Sequence, residues 1–437
     1  LDRATDGLVA FDFGGFADLA GYCCSQAVKA NRKGGTQAVS ICEQVDQFWA
    51  ETLPNWIKVV VDAEEGGVFD RIVDGGRAEP RDPKTTLVHA RTLFTLAHLE
   101  IAGHGNCAMR ATAALTRAYL MKSLTHPDGG WCKARTRTRG PNVRDVNSTR
   151  DCYDHAFVVL ACATWARIDP STIGDLEAAW QVVDRLFCQP DGSLIEDDRC
   201  AHHIMRRQNP HMHMFEACLF AWEATGRISW RDRAEKLLGV FESSLFDADT
   251  GTLREFLSSD LGVLEGQKGV IREPGHHYEW VWLLNRYSRL GGTRKVDTSR
   301  NALLAFADAH GRASVGPMEG AVFDEVSPIG EVISPTHLLW PQTEAIKAFL
   351  SEYERTGDHR RFESACKMMS LIFKFYIGQG TRFWINQRDK NAEVIWPDTL
   401  SRLLYHIVVA LTEGERIGAW GATSSHSEPL PVTQSRT

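Results

Sequence analysis

Two stretches of this sequence set a histidine and a glutamate three positions apart: His276 and Glu279 in "EPGHHYEW", and His213 and Glu216 in "RQNPHMHMFEA". On a helix such residues are neighbours on one face. The carboxylate can hold one ring nitrogen of its imidazole, fix the tautomer and raise the basicity of the other nitrogen near neutral pH. Pro274 and Gly275 suit the start of a helix and would place His276 at its mouth, facing a cavity; the bland alternative is a histidine that merely caps or packs. Asn209 lies one turn upstream of His213 on the same face.

Other polar residues stand in apolar helical runs. His406, in "LSRLLYHIVVAL", reads by itself as a satisfied core residue, but in a ring it could face His276 and supply a second acid-base group. Arg91, in "LVHARTLFTLAH", is costly to bury unless it binds oxygens, so it either clamps a substrate hydroxyl or an enediolate oxygen, or pairs with Glu344 or Asp154. "YDHAF" and "LWPQTEA" add Tyr153, Asp154, His155, Trp340, Gln342 and Glu344. Trp131, Trp340, Trp384 and Trp396 are either stacking faces for a sugar ring or core. His89 and His337 read as structural, and His277 as facing a neighbour or solvent. A histidine and carboxylate at this spacing on several helices can build a di-iron site, yet the remaining helices offer arginine and aromatics rather than further ligands, so no metal is expected.

These residues need elements to carry them. Runs with a 3.6-residue period predict twelve helices from about residue 39 onward, separated by Gly and Pro clusters such as "HPDGGW", "QPDGSL" and "RLGGTR". Arg91, His155, His213, His276, His337 and His406 recur at about sixty-residue intervals, near the start of every second helix, as a six-fold repeat of helical hairpins would require. The predicted fold is therefore all-α: an (α/α)6 barrel whose inner helices turn those residues toward a common axis. "GGVFDRIV", "GSLIED", "GTLREFL" and "GAVFDEV" predict short β-hairpins in loops at one face. The barrel is expected over 39–417, after an extension of unknown structure (1–38) and before a disordered tail (418–437).

Composition narrows the class. The chain has 437 residues, 43% hydrophobic and 24% charged, with a net charge of -7 and both signs mixed throughout, so it offers no basic stripe for nucleic acid. No stretch suits a membrane span, and the apolar start, broken by Asp12 and Asp18, is a poor signal peptide. Eleven scattered cysteines without a CxxC pair read as free thiols in a reducing cytoplasm.

"YDHAF", "QNPHMHMFEA", "EPGHHYEWVWLL", "GAVFDEV", "LWPQTEA" and the "YH" of the final helix resemble, in order over about 50–410, the signature segments of the N-acylglucosamine 2-epimerase superfamily. The wording "NPHMH" and "EPGHHYEW" is most similar to its mannose isomerase branch. The resemblance implies an (α/α)6 barrel and assigns His276 and His406 as the proton-transferring pair. It also places Arg91 on the reacting oxygens, Glu279 in support of His276, and Asn209 and His213 on the sugar. The stretch "WPDTLSRLL" before His406 departs from the family pattern.

The resulting expectation is a cofactor-independent aldose-ketose isomerase for mannose and fructose, with lyxose and xylulose as a further pair, working through a cis-enediol. His276 is taken as the C1/C2 base and His406 as its partner, with Arg91 and Glu279 completing the catalytic set. Asn209, His213, Tyr153, Glu216, Trp340 and Gln342 are expected to bind substrate. The expected partner is a monosaccharide, and a homodimer is compatible with the sequence. Alternatives are a sugar 2-epimerase, a glycoside hydrolase or lyase using Asp154 and Glu344, and a silent sugar-binding protein.

Overall fold

The computed structural model describes residues 39–137, 146–199, 205–378 and 383–421, so the expected extension over 1–38 and the chain beyond 421 lie outside the described residues. The first helix, α1, runs from Ile41–Gln47 through a π-helical turn, Phe48–Thr52, into Leu53–Val60. Ser40 and Glu43 close its start as a reciprocal capping box. There follow α2 (Thr86–Ile101), α3 (Cys107–Lys122), α4 (Cys152–Ile168), α5 (Ile173–Leu186), α6 (Asn209–Thr225), α7 (Ile228–Val240), α8 (Pro274–Arg289), α9 (Asp297–His310), α10 (Leu339–Thr356), α11 (His359–Phe375) and α12 (Leu404–Ile417). Counted this way, twelve helices stand among the described residues.

The even-numbered helices form the inner ring. Each touches the next, and α12 packs on α2, so the ring closes. Their sequences are apolar nearly all round because they are covered on every side: α4 buries all of Ala156–Thr164. The odd-numbered helices bury one stripe each; α5 turns Leu176, Ala179, Trp180 and Val183 inward. Trp49 of α1 donates to Glu415 of α12 at 2.7 Å, which joins the two ends of the described chain.

Connections at one face are short (102–106, 169–172, 226–227, 290–296, 357–358), whereas those leading into each inner helix are long. The long loops carry short β-hairpins as expected, except that "GSLIED" makes only isolated bridges, Leu194 to Cys188 and Asp197 to Asp151, and the loops also pair with one another. Lys84 pairs with Arg135, Asp151 with Asp197, Arg206 with Leu257, Arg272 with Val326, His337 with Arg388, and Leu400 with Arg71. Each loop is thus stitched to the next just before its inner helix begins, and the stitches close a second ring above the helices.

The repeat differs in register from the one expected. In four units a histidine at the head of the inner helix braces the loop below it: His89, His155, His211 and His277 each turn Nδ1 to the carbonyl four residues back. Each Nε2 accepts a loop N–H, from Val68, Trp131, Leu194 and Leu253 respectively. Gln342 does the same in the fifth unit, its Oε1 accepting from Val322 at 2.7 Å and its Nε2 donating to the Leu338 carbonyl. Thr399 takes the place in the sixth, accepting from the Trp384 N–H. A buried N–H must find an acceptor, and this device supplies one six times. His155 therefore does not face the axis, and neither does His337, whose Nδ1 meets the Val322 carbonyl at 2.8 Å. His277 is not at the surface either; it is one of the braces. His89 and His337 are structural, as expected.

The ordered barrel also extends past Ile417. Gly418 ends α12 in the left-handed region at φ 77°, and Trp420, fully buried, donates to the Leu411 carbonyl at 2.9 Å. A Cβ at Gly414 would overlap the Trp420 ring, so the glycine is what lets the indole seal the end of α12.

Candidate active site

The heads of all six inner helices meet under the long loops around a cavity of about 320 Å³. Arg91, Tyr153, Asn209, His213, His276, Glu279, Trp340 and His406 all line it. Of the residues that the sequence marks for catalysis or substrate contact, only Glu216 and Gln342 fall outside the lining. Gln342 is spent on the brace just described. Glu216 is fully buried behind His213, accepting from its Nδ1 at 2.9 Å and from the Tyr405 hydroxyl.

The lining follows the brace. Two residues beyond it on the inner helices stand Arg91, Phe157, His213, Glu279 and Glu344, of which Arg91, His213 and Glu279 line the cavity. Two residues beyond the braced N–H on the loops stand Asp70, Lys133, Glu196, Glu255, Asp324 and Asn386, and the first five bond to Thr85, Asp151, Arg207, His276 and the Leu338 N–H at or near the helix heads.

Trp340 lies between the two candidate acid-base imidazoles, its ring centroid 4.7 Å from that of His276 and 5.9 Å from that of His406. A Cβ on Gly275 would come within 2.6 Å of this indole, so glycine at the start of α8 is required by close packing. Both imidazoles open onto the same space.

His276 is not paired with Glu279 as its spacing suggested. Its Nδ1 bonds to Glu255 at 2.8 Å, with Glu273 at 3.3 Å. Helical side chains lean toward the N-terminus, so His276 tilts up to the loops and away from the turn that carries Glu279. Burial opposes charge on this ring, but Glu255 and Glu273 outweigh it and push its pKa up to about 10. Glu273, half-buried, is itself raised to about 8 by loss of hydration and the neighbouring Glu255.

His406 is biased the other way. Its Nδ1 lies 2.7 Å from Glu344, and Arg91 Nη1 is 3.3 Å from its Nε2. A guanidinium can only donate, so Nε2 is the bare nitrogen and Nδ1–H gives its proton to Glu344. Burial, then the nearby positive charges of Arg91 and Lys347, hold His406 well below its ordinary pKa. These surroundings favour the proton on His276 and the neutral ring at His406, opposite to the order expected with His276 as base.

Arg91 makes neither of the ion pairs considered for it. It donates to Tyr153 Oη at 2.7 Å and to the Arg402 carbonyl at 3.2 Å, rests 4.1 Å from the Phe157 ring centroid, and keeps its Nε without a partner. Glu344 instead sits between His406 and the buried ammonium of Lys347, 2.6 Å away. For Lys347, burial is outweighed by Glu344, Glu279 and Glu216, which hold its pKa above the ordinary value. This removes Glu344 from the opposed carboxyl pair a hydrolase would need.

Glu279 is 1% exposed and neither carboxylate oxygen has a partner, and Asn209 Oδ1 is likewise unpartnered. Both line the cavity, and buried acceptors of this kind are what hydroxyl donors of a ligand satisfy. Trp131 and Trp384 are core, whereas Trp396 borders the cavity. Among the described residues three sets of donors, His213–Glu216–Glu279, Glu255–Glu273–His276 and Glu279–Glu344–His406, have ligand atoms within 4.8 Å of one another and are where a cation could sit. Each contains one of the histidine–carboxylate bonds just described.

Sequence reading missed Glu255, Glu273, Lys347 and Arg402. The signal for Glu255 was present: it is the fourth of six polar residues placed two positions after the hydrophobic residue of "GGVFD", "GGWCK", "GSLIE", "GTLRE", "GAVFD" and "RFWIN".

The fold and the cavity define a helical barrel with a histidine- and carboxylate-lined cavity under its long loops, and comparison with known proteins specifies the family. A family model described as N-acylglucosamine 2-epimerase (GlcNAc 2-epimerase) matches residues 67–410, and the chain belongs to this family of sugar isomerases and epimerases. A protein of Rhizobium meliloti (strain 1021) named mannose-6-phosphate isomerase is 28% identical over 374 residues, 83% of this chain and 93% of its own. Cellobiose 2-epimerase of Ruminococcus albus is 21% identical over 350 residues, covering 74% of this chain and 84% of its own. Among solved structures, that of a D-mannose isomerase superposes with a TM-score of 0.76 at 20% identity, covering 85% of this chain and 97% of its own, which shows the shared fold.

Proposed function

We propose that this enzyme is a cofactor-independent aldose-ketose isomerase that interconverts mannose and fructose, with lyxose and xylulose as a further pair. The observation that carries this reading is the contrast between two imidazoles on one cavity: His276 stands against two carboxylates, whereas His406 faces a guanidinium and shares its one carboxylate with Lys347. His406 Nε2 removes the C2 proton of the open-chain aldose while the His276 imidazolium protonates O1, giving a cis-enediol. His406 then delivers its proton to C1 as O2 returns one to His276, which yields the ketose and restores both rings. Arg91 Nε is free to donate to the oxygen where negative charge develops, and the N-termini of the inner helices point their positive ends at the same space. Glu279, Asn209 and His213 Nε2 receive the remaining hydroxyls.

A 2-epimerase would use the same enediol but return the proton to C2 from the opposite face. NMR analysis of products in deuterated water separates the two: a ketose with deuterium at C1 is expected, and accumulation of the 2-epimer alone would overturn the isomerase reading. H276A and H406A are each expected to lower turnover by about a hundredfold or more; near-normal rates in either would remove it from the mechanism. Activity is expected to survive chelation, whereas loss that a divalent ion restores would favour a metal-assisted hydride shift.

A further inference from the structure

A second cavity of about 360 Å³ adjoins the catalytic one, lined by the first two long loops, the heads of α2 and α4, and residues of the third and sixth long loops. Leu87, Tyr153, Arg207, Trp396 and Arg402 border both. Two of these five carry guanidinium groups, and they differ in how they are neutralised. Arg207 Nε bonds to Glu196 at 2.6 Å. Lys133 and Arg71, further into the second cavity, are likewise matched, to Asp151 and to Asp82 and Asp398.

Arg402 has no carboxylate partner among the described residues. Its side chain is exposed to the cavity while its carbonyl is tied to Arg91, so the backbone that carries it is fixed against the catalytic arginine. Burial and the Arg91 charge hold its pKa below the ordinary value. The remaining acids nearby offer little compensation: burial raises Asp154 to about 8 and Asp70 to about 7. Asp154 Oδ2 is buried without a partner. A chain of net charge -7 thus presents an unmatched cation at the junction of two cavities, one turn before His406.

We propose that Arg402, with the free nitrogens of Arg207, forms a subsite for an anionic group, a phosphate ester or a carboxylate, on the end of the sugar remote from C1 and C2. The inference rests on the isomerase reading and names its substrate class. A planar guanidinium that faces two adjoining cavities, with no carboxylate among the described residues holding it, suits such a group.

The test measures kcat/KM of the full chain for mannose, mannose 6-phosphate and mannuronate, in the wild type, R402A and R402K. The anionic-to-neutral ratio is expected to exceed roughly ten in the wild type for at least one of the two anions, mainly through KM, and to fall about tenfold or more in R402A. R402K should keep part of it, and added salt should lower it. Which anion shows the advantage identifies the group. A wild-type ratio at or below one for both anions, or the same ratio in R402A, overturns the subsite; because the neutral sugar is the internal reference, partial unfolding cannot mimic either result. If none of the three sugars exchanges its C2 hydrogen, the isomerase reading itself has failed.

Discussion

At the scale of single residues, the chemistry depends on where each imidazole finds its carboxylate. His276 meets two acids and no cation at hydrogen-bond range, whereas His406 shares its one acid with Lys347 and faces Arg91. Since the acid role needs His276 protonated, kcat/KM should stay level through neutral pH and fall as pH rises through about 10. E255Q removes the largest influence that raises this pKa, so its alkaline limb should move to lower pH in the pH-rate profile; an unmoved limb would show that another group sets it. The helix positions of these residues were legible from spacing alone. Their partners were not, because Glu255 arrives from a loop and Glu344 from a different helix.

At the scale of elements, the histidine brace joins each inner helix to the loop that precedes it. His211 shows the cost of losing it: H211A would leave the buried Leu194 N–H and Arg207 carbonyl unsatisfied. It is expected to destabilise the fold by about 1–3 kcal/mol, with a lower Tm, and H211Q should recover part of the loss because Gln342 already performs this task in the fifth unit. An equal loss in both variants would mean that ring packing, not the hydrogen bonds, is what counts. The twelve helices and their order could be read from the apolar period. The brace was half legible: the six-fold recurrence was visible, but Arg91, His213 and His406 on the cavity were grouped with His155 and His337, which are not.

The whole molecule is a closed ring of helices under a closed ring of stitched loops, and its closure engages both ends of the described chain. Trp420, packed on Gly414 just beyond α12, is part of that closure. W420A should cost about 3–5 kcal/mol in chemical denaturation; an unchanged midpoint would return these residues to the tail the sequence suggested. Among the described residues no helix is long and apolar enough to cross a membrane.

By itself the sequence determined the fold class, the six-unit repeat and the family resemblance, and it picked out ten residues of which eight line one cavity, because helical period and local motifs are properties of neighbouring positions. Tertiary structure alone decided that Glu279 stands free, that Glu216 and Gln342 lie behind the lining, and that His276 lies against two carboxylates while His406 faces a guanidinium. Those outcomes depend on burial and on charges brought together from distant segments, and no spacing along the chain encodes how far apart such segments come to rest.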